Sequence, residues 1–271
     1  MNYLKRHLES LFIECTSLDA NLLVLESLVS SKSQDLEENF PFPNYELIGM
    51  ITTYRDLSQL EGGNNLYNTQ VGYSLNTKNL PTEVTRLLSY ISCLTITQVF
   101  EVFESFLKNI LSEIIYQNPP LTHELKLPNI YNSFQEIRKD IFKIQGTSNK
   151  GFIKVLRKIS PFFKKHESNN IWDKNMSHWF DLIARIRNLV VHSRLVISPE
   201  FEDYINEVHR KVLFTQHFTI YESNATKKIE LTPYQAHSIT HHLFEYAHLI
   251  YKSVSIDFNL DMDFDFKKVT I

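Results

Sequence analysis

Arg185, Arg187, Asn188 and His192 lie within one short stretch, Trp179 to Arg194, and their side chains suit phosphodiester chemistry. Histidine titrates near neutral pH and moves protons. Arginine stays cationic and forks onto phosphate oxygens. Asparagine can orient either partner. Such a set can grip an RNA phosphate and promote its cleavage by the RNA's own 2′-hydroxyl, with no metal required. Arg185, Asn188 and His192 are spaced three and four residues apart, which puts them on nearly one line of a helix. Arg187 stands five residues before His192, roughly 140° away at about 100° per residue, within reach of a long guanidinium. The same spacing also suits two solvated arginines and a histidine facing the helix dipole.

The helix that must carry them is legible. Trp179, Leu182, Ile183, Ile186, Leu189 and Val190 recur at helical spacing and predict a buried stripe, with a start near Asp173. His178, seven residues before Arg185, falls on the same polar face.

Arg187-Asn188-Leu189-Val190-Val191-His192 resembles the signature of the HEPN superfamily, an arginine and a polar residue followed by histidine late in a helix of an all-α domain. The stretch Gln98 to Leu111 resembles the long earlier helix of those proteins, in which a glutamate is followed by an aromatic and leucines. The resemblance covers residues 80–255. It implies a mostly α, HEPN-like helical bundle acting as a metal-independent endoribonuclease of a toxin–antitoxin or phage-defence type. Arg187 would hold the scissile phosphate, His192 would act as general acid or base, and Asn188 would orient His192. Arg185 and Glu104 would support the charge balance, with Glu104 fixing an arginine of the motif helix. The site is expected where two copies meet in a homodimer, with RNA as substrate, an antitoxin protein as a further partner, and no cofactor. Some HEPN members are catalytically silent, so an RNA-binding or regulatory module is the alternative. A helical scaffold with no RNA affinity is a third.

Composition agrees with a helical globular chain. Of 271 residues, 43% are hydrophobic and 22% charged, and 6 Gly with 9 Pro leave few tight turns. Cys15 and Cys93 each fall in an apolar helical stripe and read as reduced, buried thiols, as in a cytoplasmic protein. No apolar run reaches the ~20 residues of a membrane span, and the N-terminus lacks a leader's apolar core.

A net charge of −3 argues against general nucleic-acid affinity, but the charge is uneven. Residues 131–165 hold nine basic side chains against Glu136 and Asp140, a local +7 just before the motif helix. Lys154, Arg157 and Lys158 there, with Arg194 after the motif, are the expected RNA contacts. A solvated helix face reads equally well from this pattern, and its interleaved phenylalanines fit a core at helical spacing better than base stacking.

The remaining elements follow in order. Leu4, Leu8, Leu11, Cys15, Leu18, Leu22, Leu25 and Val29 predict a long helix over 3–32, within an N-terminal extension (1–80) packed on the same body. A weaker helix is expected over 45–60, then a surface loop over 62–80 with a short strand at 71–75. The longest helix is expected over 81–116, opening the HEPN-like region of 81–256. Helices are expected over 131–144, 150–165 and 199–210. Leu213 to Tyr221 and Lys227 to Leu231 predict a hairpin. Thr232-Pro233 caps a last helix, and 257–271 form a tail that is loose or adds an edge strand. On that last helix His237 and His241 stand four apart, with His248 seven further, a spacing that zinc accepts. No cysteine or third ligand joins them in sequence, so the expectation is a polar helix face and no metal.

Overall fold

The computed structural model describes residues 2–262 apart from 41, 43, 56–65, 129–130, 145–148 and 224–225. The described chain is mostly helical, with two small antiparallel hairpins. In chain order it runs α1 (Lys5–Asn39), β1 (Glu46–Arg55), β2 (Leu66–Asn76) and α2 (Leu80–Gln117). A 3-10 helix (Pro119–Leu125) leads to α3 (Phe134–Lys143), α4 (Asn149–Ile159) and α5 (Pro161–His166). Then come α6 (Met176–Ser193), α7 (Pro199–Asn206), α8 (Val208–His217), β3 (Thr219–Ser223), β4 (Thr226–Glu230) and α9 (Pro233–Asp257).

Local chemistry sets most helix starts. Ser133, Ser160, Asn175 and Ser198 each accept a hydrogen bond from a backbone N–H of the turn they cap. Thr232 and Gln235 close a capping box at α9, with Pro233 at the first helical position.

α2 is the core helix. It buries Val99, Phe100, Phe103, Phe106, Leu107, Ile110, Leu111 and Ile114 against α1, α3, α6 and α9. Phe103, Phe180 and Tyr246 join α2, α6 and α9 in an aromatic knot, their ring centroids 5.3 to 5.8 Å apart. Among the described residues α2 is also the helix long and apolar enough, by length and composition, to cross a membrane; half of its apolar window is buried in the bundle. Polar residues interrupt it, which is why it does not read as one apolar run.

α1 contributes Leu8, Leu11, Cys15 and Leu22 to the same core and runs antiparallel to α2. Arg6 near its start binds buried Glu113 near the end of α2 at 2.6 Å, while Leu18 lies beside Gln98. Cys15 and Cys93 are buried and free, and burial pushes both thiols up to about 12. Neither is a nucleophile.

Four sequence expectations are corrected. Residues 46–55 of the segment expected as a helix form strand β1, and β2 contains the short strand expected at 71–75 but extends it over residues 66–76 of the expected loop, the two pairing from Glu46 opposite Asn76 to Arg55 opposite Leu66. Ile51-Thr52-Thr53-Tyr54 is β-branched and aromatic, which favours a pleated strand over a helix. The Gly/Asn run at 62–65 lies outside the described residues. Leu213 to His217 belongs to helix α8 rather than to a strand, because helical spacing buries Phe214 against Phe218 and His217 against Trp179. The helix expected over 150–165 is two, broken at Ser160-Pro161. Asp257, expected in the tail, ends α9 and accepts from Ser160 Oγ and from the Phe162 N–H at 3.0 Å. Residues 263–271 lie outside the described chain.

His217 makes stability pH-dependent. Its Nε2 accepts from Trp179 Nε1 at 3.2 Å, and burial lowers its pKa to about 4. The unfolded imidazole takes its proton near pH 6.5, the folded one only near pH 4. Between these values the unfolded chain binds more protons, so stability falls as pH drops through that window, by about 3 kcal/mol at the lower end. His7 and His248, also lowered by burial, add to the same slope. Urea unfolding at pH 7 and pH 4.5 checks this; His217→Gln should flatten the difference.

Candidate functional site

α6 turns Trp179, Phe180, Leu182, Ile183, Ile186 and Leu189 into the core. That orientation leaves Arg185, Asn188 and His192 exposed on the opposite face, as their spacing requires. Two devices fix the ends of the helix. At the start, Met176 N–H donates to the Glu167 carbonyl at 3.1 Å. At the far end, Arg194 adopts a left-handed conformation (φ 50°, ψ 44°), and the Leu195 N–H closes on the Leu189 carbonyl at 3.2 Å.

The chain after α6 then pairs with the second hairpin. Ile197 N–H donates to Lys227 O at 2.9 Å, and Ile229 N–H to Leu195 O at 3.1 Å. The Leu231 N–H donates to Ser89 Oγ of α2 at 3.0 Å. The hairpin thus ties the His192 end of α6 to the first half of α2.

Arg187 lies on the flank of α6 facing α2, its side chain 24% exposed. Nη2 donates to Glu101 Oε1, and Nη1 to Asn188 Oδ1 at 3.2 Å. Nε is buried without a hydrogen-bond partner. The carboxylate holding the motif arginine is therefore Glu101, where the sequence pointed to Glu104. Glu104 pairs with Lys108, one turn along α2, at 2.7 Å. The two glutamates sit three residues apart, and only the crossing point of α2 and α6 decides which one meets Arg187. Asn188 also differs from expectation, since its oxygen serves Arg187 rather than His192.

Arg185 is drawn the other way. Its guanidinium lies 4.1 Å from the centre of the Tyr204 ring and 3.6 Å from Asp181. Tyr204 in turn donates to Asp181 at 2.9 Å, and Arg210 lies over the same ring at 4.0 Å. Burial, then the hydrogen bond to Asp181, push the Tyr204 phenol well up. Arg185 thus supports the joint of α6 with α7 and is separate from Arg187. The His178 ring lies tilted beside that of His209, their centroids 5.1 Å apart.

Of the expected RNA contacts, Arg194 and Lys154 are exposed. Lys158 is exposed and paired with Glu124 at 2.7 Å. Arg157 is committed inside the protein. Nε and Nη2 grip Glu167 at 2.5 and 2.8 Å, Nη2 also reaches Ser177 at 2.6 Å, and buried Tyr246 donates to Glu167 at 2.5 Å. This network joins α4, α6 and α9, and it positions the start of the motif helix instead of a ligand. The spacing of basic residues alone could not separate Arg157 from its exposed neighbours; the signal was the apolar Phe152-Ile153-Val155-Leu156 stripe beside it, all buried.

No family model, curated protein or solved structure matches this chain.

Proposed function

We propose that this chain is a metal-independent endoribonuclease of the HEPN kind. The observation that carries the reading is the arrangement at the end of α6. Arg187 is held in place by Glu101 and Asn188, five residues before an exposed His192, on a helix fixed at both ends. A guanidinium preset by a carboxylate needs little reordering to meet a phosphate.

In the reaction, Arg187 binds a non-bridging phosphate oxygen and offsets the charge that builds there. The 2′-hydroxyl of the preceding ribose attacks phosphorus. His192 takes the hydroxyl proton as general base, or gives a proton to the departing 5′-oxygen as general acid. One bond from phosphorus to the 2′-oxygen forms and one to the 5′-oxygen breaks. The products are a 2′,3′-cyclic phosphate and a free 5′-hydroxyl. One histidine serves one of the two proton transfers at a time, and a second copy of the chain would supply the other. Arg194, Lys154 and Lys158 are the cations assigned to the flanking phosphates. The setting we assign is a cytoplasmic toxin or phage-defence system, with an antitoxin protein as regulator.

The dimer has a candidate surface. Leu87, Tyr90 and Leu94 are exposed on the α2 face that continues to Glu101, and Val191 is exposed beside His192. Contiguous apolar residues next to a half-built site suit a second copy of the same face. The double variant Tyr90→Arg/Leu94→Arg should convert a dimer to a monomer in light scattering and lower cleavage at least about tenfold, by removing the second histidine. A wild type that is monomeric at micromolar concentration contradicts this arrangement.

The catalytic reading is tested by incubating purified protein with mixed single-stranded RNA beside the His192→Ala variant. Cleavage by the wild type alone supports it. Salt-dependent binding without cleavage would assign the fold to the silent, RNA-binding alternative.

A further inference from the structure

α1 and α9 meet at a cluster of metal-ligating side chains outside the proposed ribonuclease site. His237 and His241 stand one turn apart on α9, their ring centroids 4.3 Å from each other. Asp19 of α1 faces them, with Oδ2 at 2.6 Å from His237 Nδ1. One ligand atom from each of the three residues lies within 4.8 Å of the other two. The sequence offered only the histidine pair. The fold adds the third ligand from 218 residues away.

Asp19 is the telling member. It continues the buried stripe of Leu8, Leu11, Cys15 and Leu22, where helical spacing calls for an apolar side chain. It is only 7% exposed, and its second oxygen, Oδ1, is buried with no hydrogen-bond partner. A carboxylate oxygen left bare inside a protein is costly, and a bound cation satisfies it. The hydrogen bond to His237 accounts for Oδ2 alone and gives His241 no part. A divalent ion accounts for all three residues.

We propose that Asp19, His237 and His241 bind a divalent transition-metal ion of the zinc class, joining α1 to α9. Two imidazoles and one carboxylate form a nitrogen-rich donor set that suits zinc over calcium or magnesium. Three protein ligands would leave a fourth coordination position for water. The bound ion would clamp the N-terminal helix to the body, so it would stabilise the fold.

The test uses full-length protein, freed of any histidine tag and stripped with a chelator. It is titrated with zinc chloride by calorimetry, and bound metal is counted by mass spectrometry. One zinc per chain is expected, with a rise in Tm on loading. His241→Ala and Asp19→Asn should each weaken binding by about tenfold or more and remove the Tm rise. His241 is exposed, so its variant folds even if Asp19→Asn does not. His248→Ala, on the same helix but lining a separate groove, should bind zinc as the wild type does. Absence of stoichiometric zinc in the wild type, or full affinity in His241→Ala or in a folded Asp19→Asn, overturns the proposal. These readouts are independent of RNA cleavage.

Discussion

Replacing His192 by alanine is expected to abolish RNA cleavage while leaving the fold unchanged. The side chain sits on the last turn of α6, exposed to solvent, with the buried stripe of the helix turned away from it. Surface truncations of this kind change stability by less than about 0.5 kcal/mol. Loss of a general acid or base costs about 10²- to 10⁴-fold in rate. The variant should therefore melt with the wild type, keep its oligomeric state and bind RNA through Arg187 and Arg194. Its cleavage rate should fall by about a hundredfold or more. Wild-type cleavage by this variant would remove His192 from the chemistry.

The largest effect on stability is expected at Glu167. Its side chain is 6% exposed and accepts two hydrogen bonds from Arg157 and one from Tyr246. Burial and the Glu167 carboxylate push the Tyr246 phenol well up, so the hydroxyl stays a donor. Glu167→Ala strips the carboxylate from between them and leaves a partly buried guanidinium uncompensated. Breaking a buried pair on one side costs about 3–5 kcal/mol. In a chain of this size that lowers Tm by on the order of 10 °C. Arg185→Ala is the contrast. Its pair with Asp181 is half-exposed, and removing such a pair costs about 1 kcal/mol or less. Equal destabilisation by the two variants, measured by thermal and urea unfolding, would contradict the role given to the Glu167 network.

The helices were legible wherever an apolar stripe and a cap coincided. Thr232-Pro233 and Ser198-Pro199 mark real starts, the stripes of α6 and α9 turn into the core as their spacing requires, that of α1 is buried as far as Leu22, and that of α2 is buried only in its second half, since Leu87 and Leu94 are exposed. β1 was missed because its hydrophobic residues do not alternate; both faces are exposed, so no buried face imposes a period of two. The strand expected over 213–217 failed because a tertiary contact, the Trp179–His217 hydrogen bond, rewards helical spacing there.

At the site, the exposed line of Arg185, Asn188 and His192 followed from helical geometry alone. What sequence could not supply was which residues of other elements meet that line. Glu101 and Glu104 look alike along α2, and the crossing of α2 and α6 selects Glu101. Arg157 and Lys158 are neighbours in sequence with opposite environments. Asp19 could be joined to His237 and His241 only by knowing that α1 packs on α9.

The central claim is metal-independent cleavage by way of the 2′-hydroxyl. The most direct measurement is the terminal chemistry of RNA incubated with the full chain in excess EDTA. The account predicts cleavage that persists under chelation and leaves 2′,3′-cyclic phosphate and 5′-hydroxyl ends. Cleavage that appears only when a divalent metal is restored to a chain that stays folded under chelation, or that leaves 5′-phosphate ends, would contradict it.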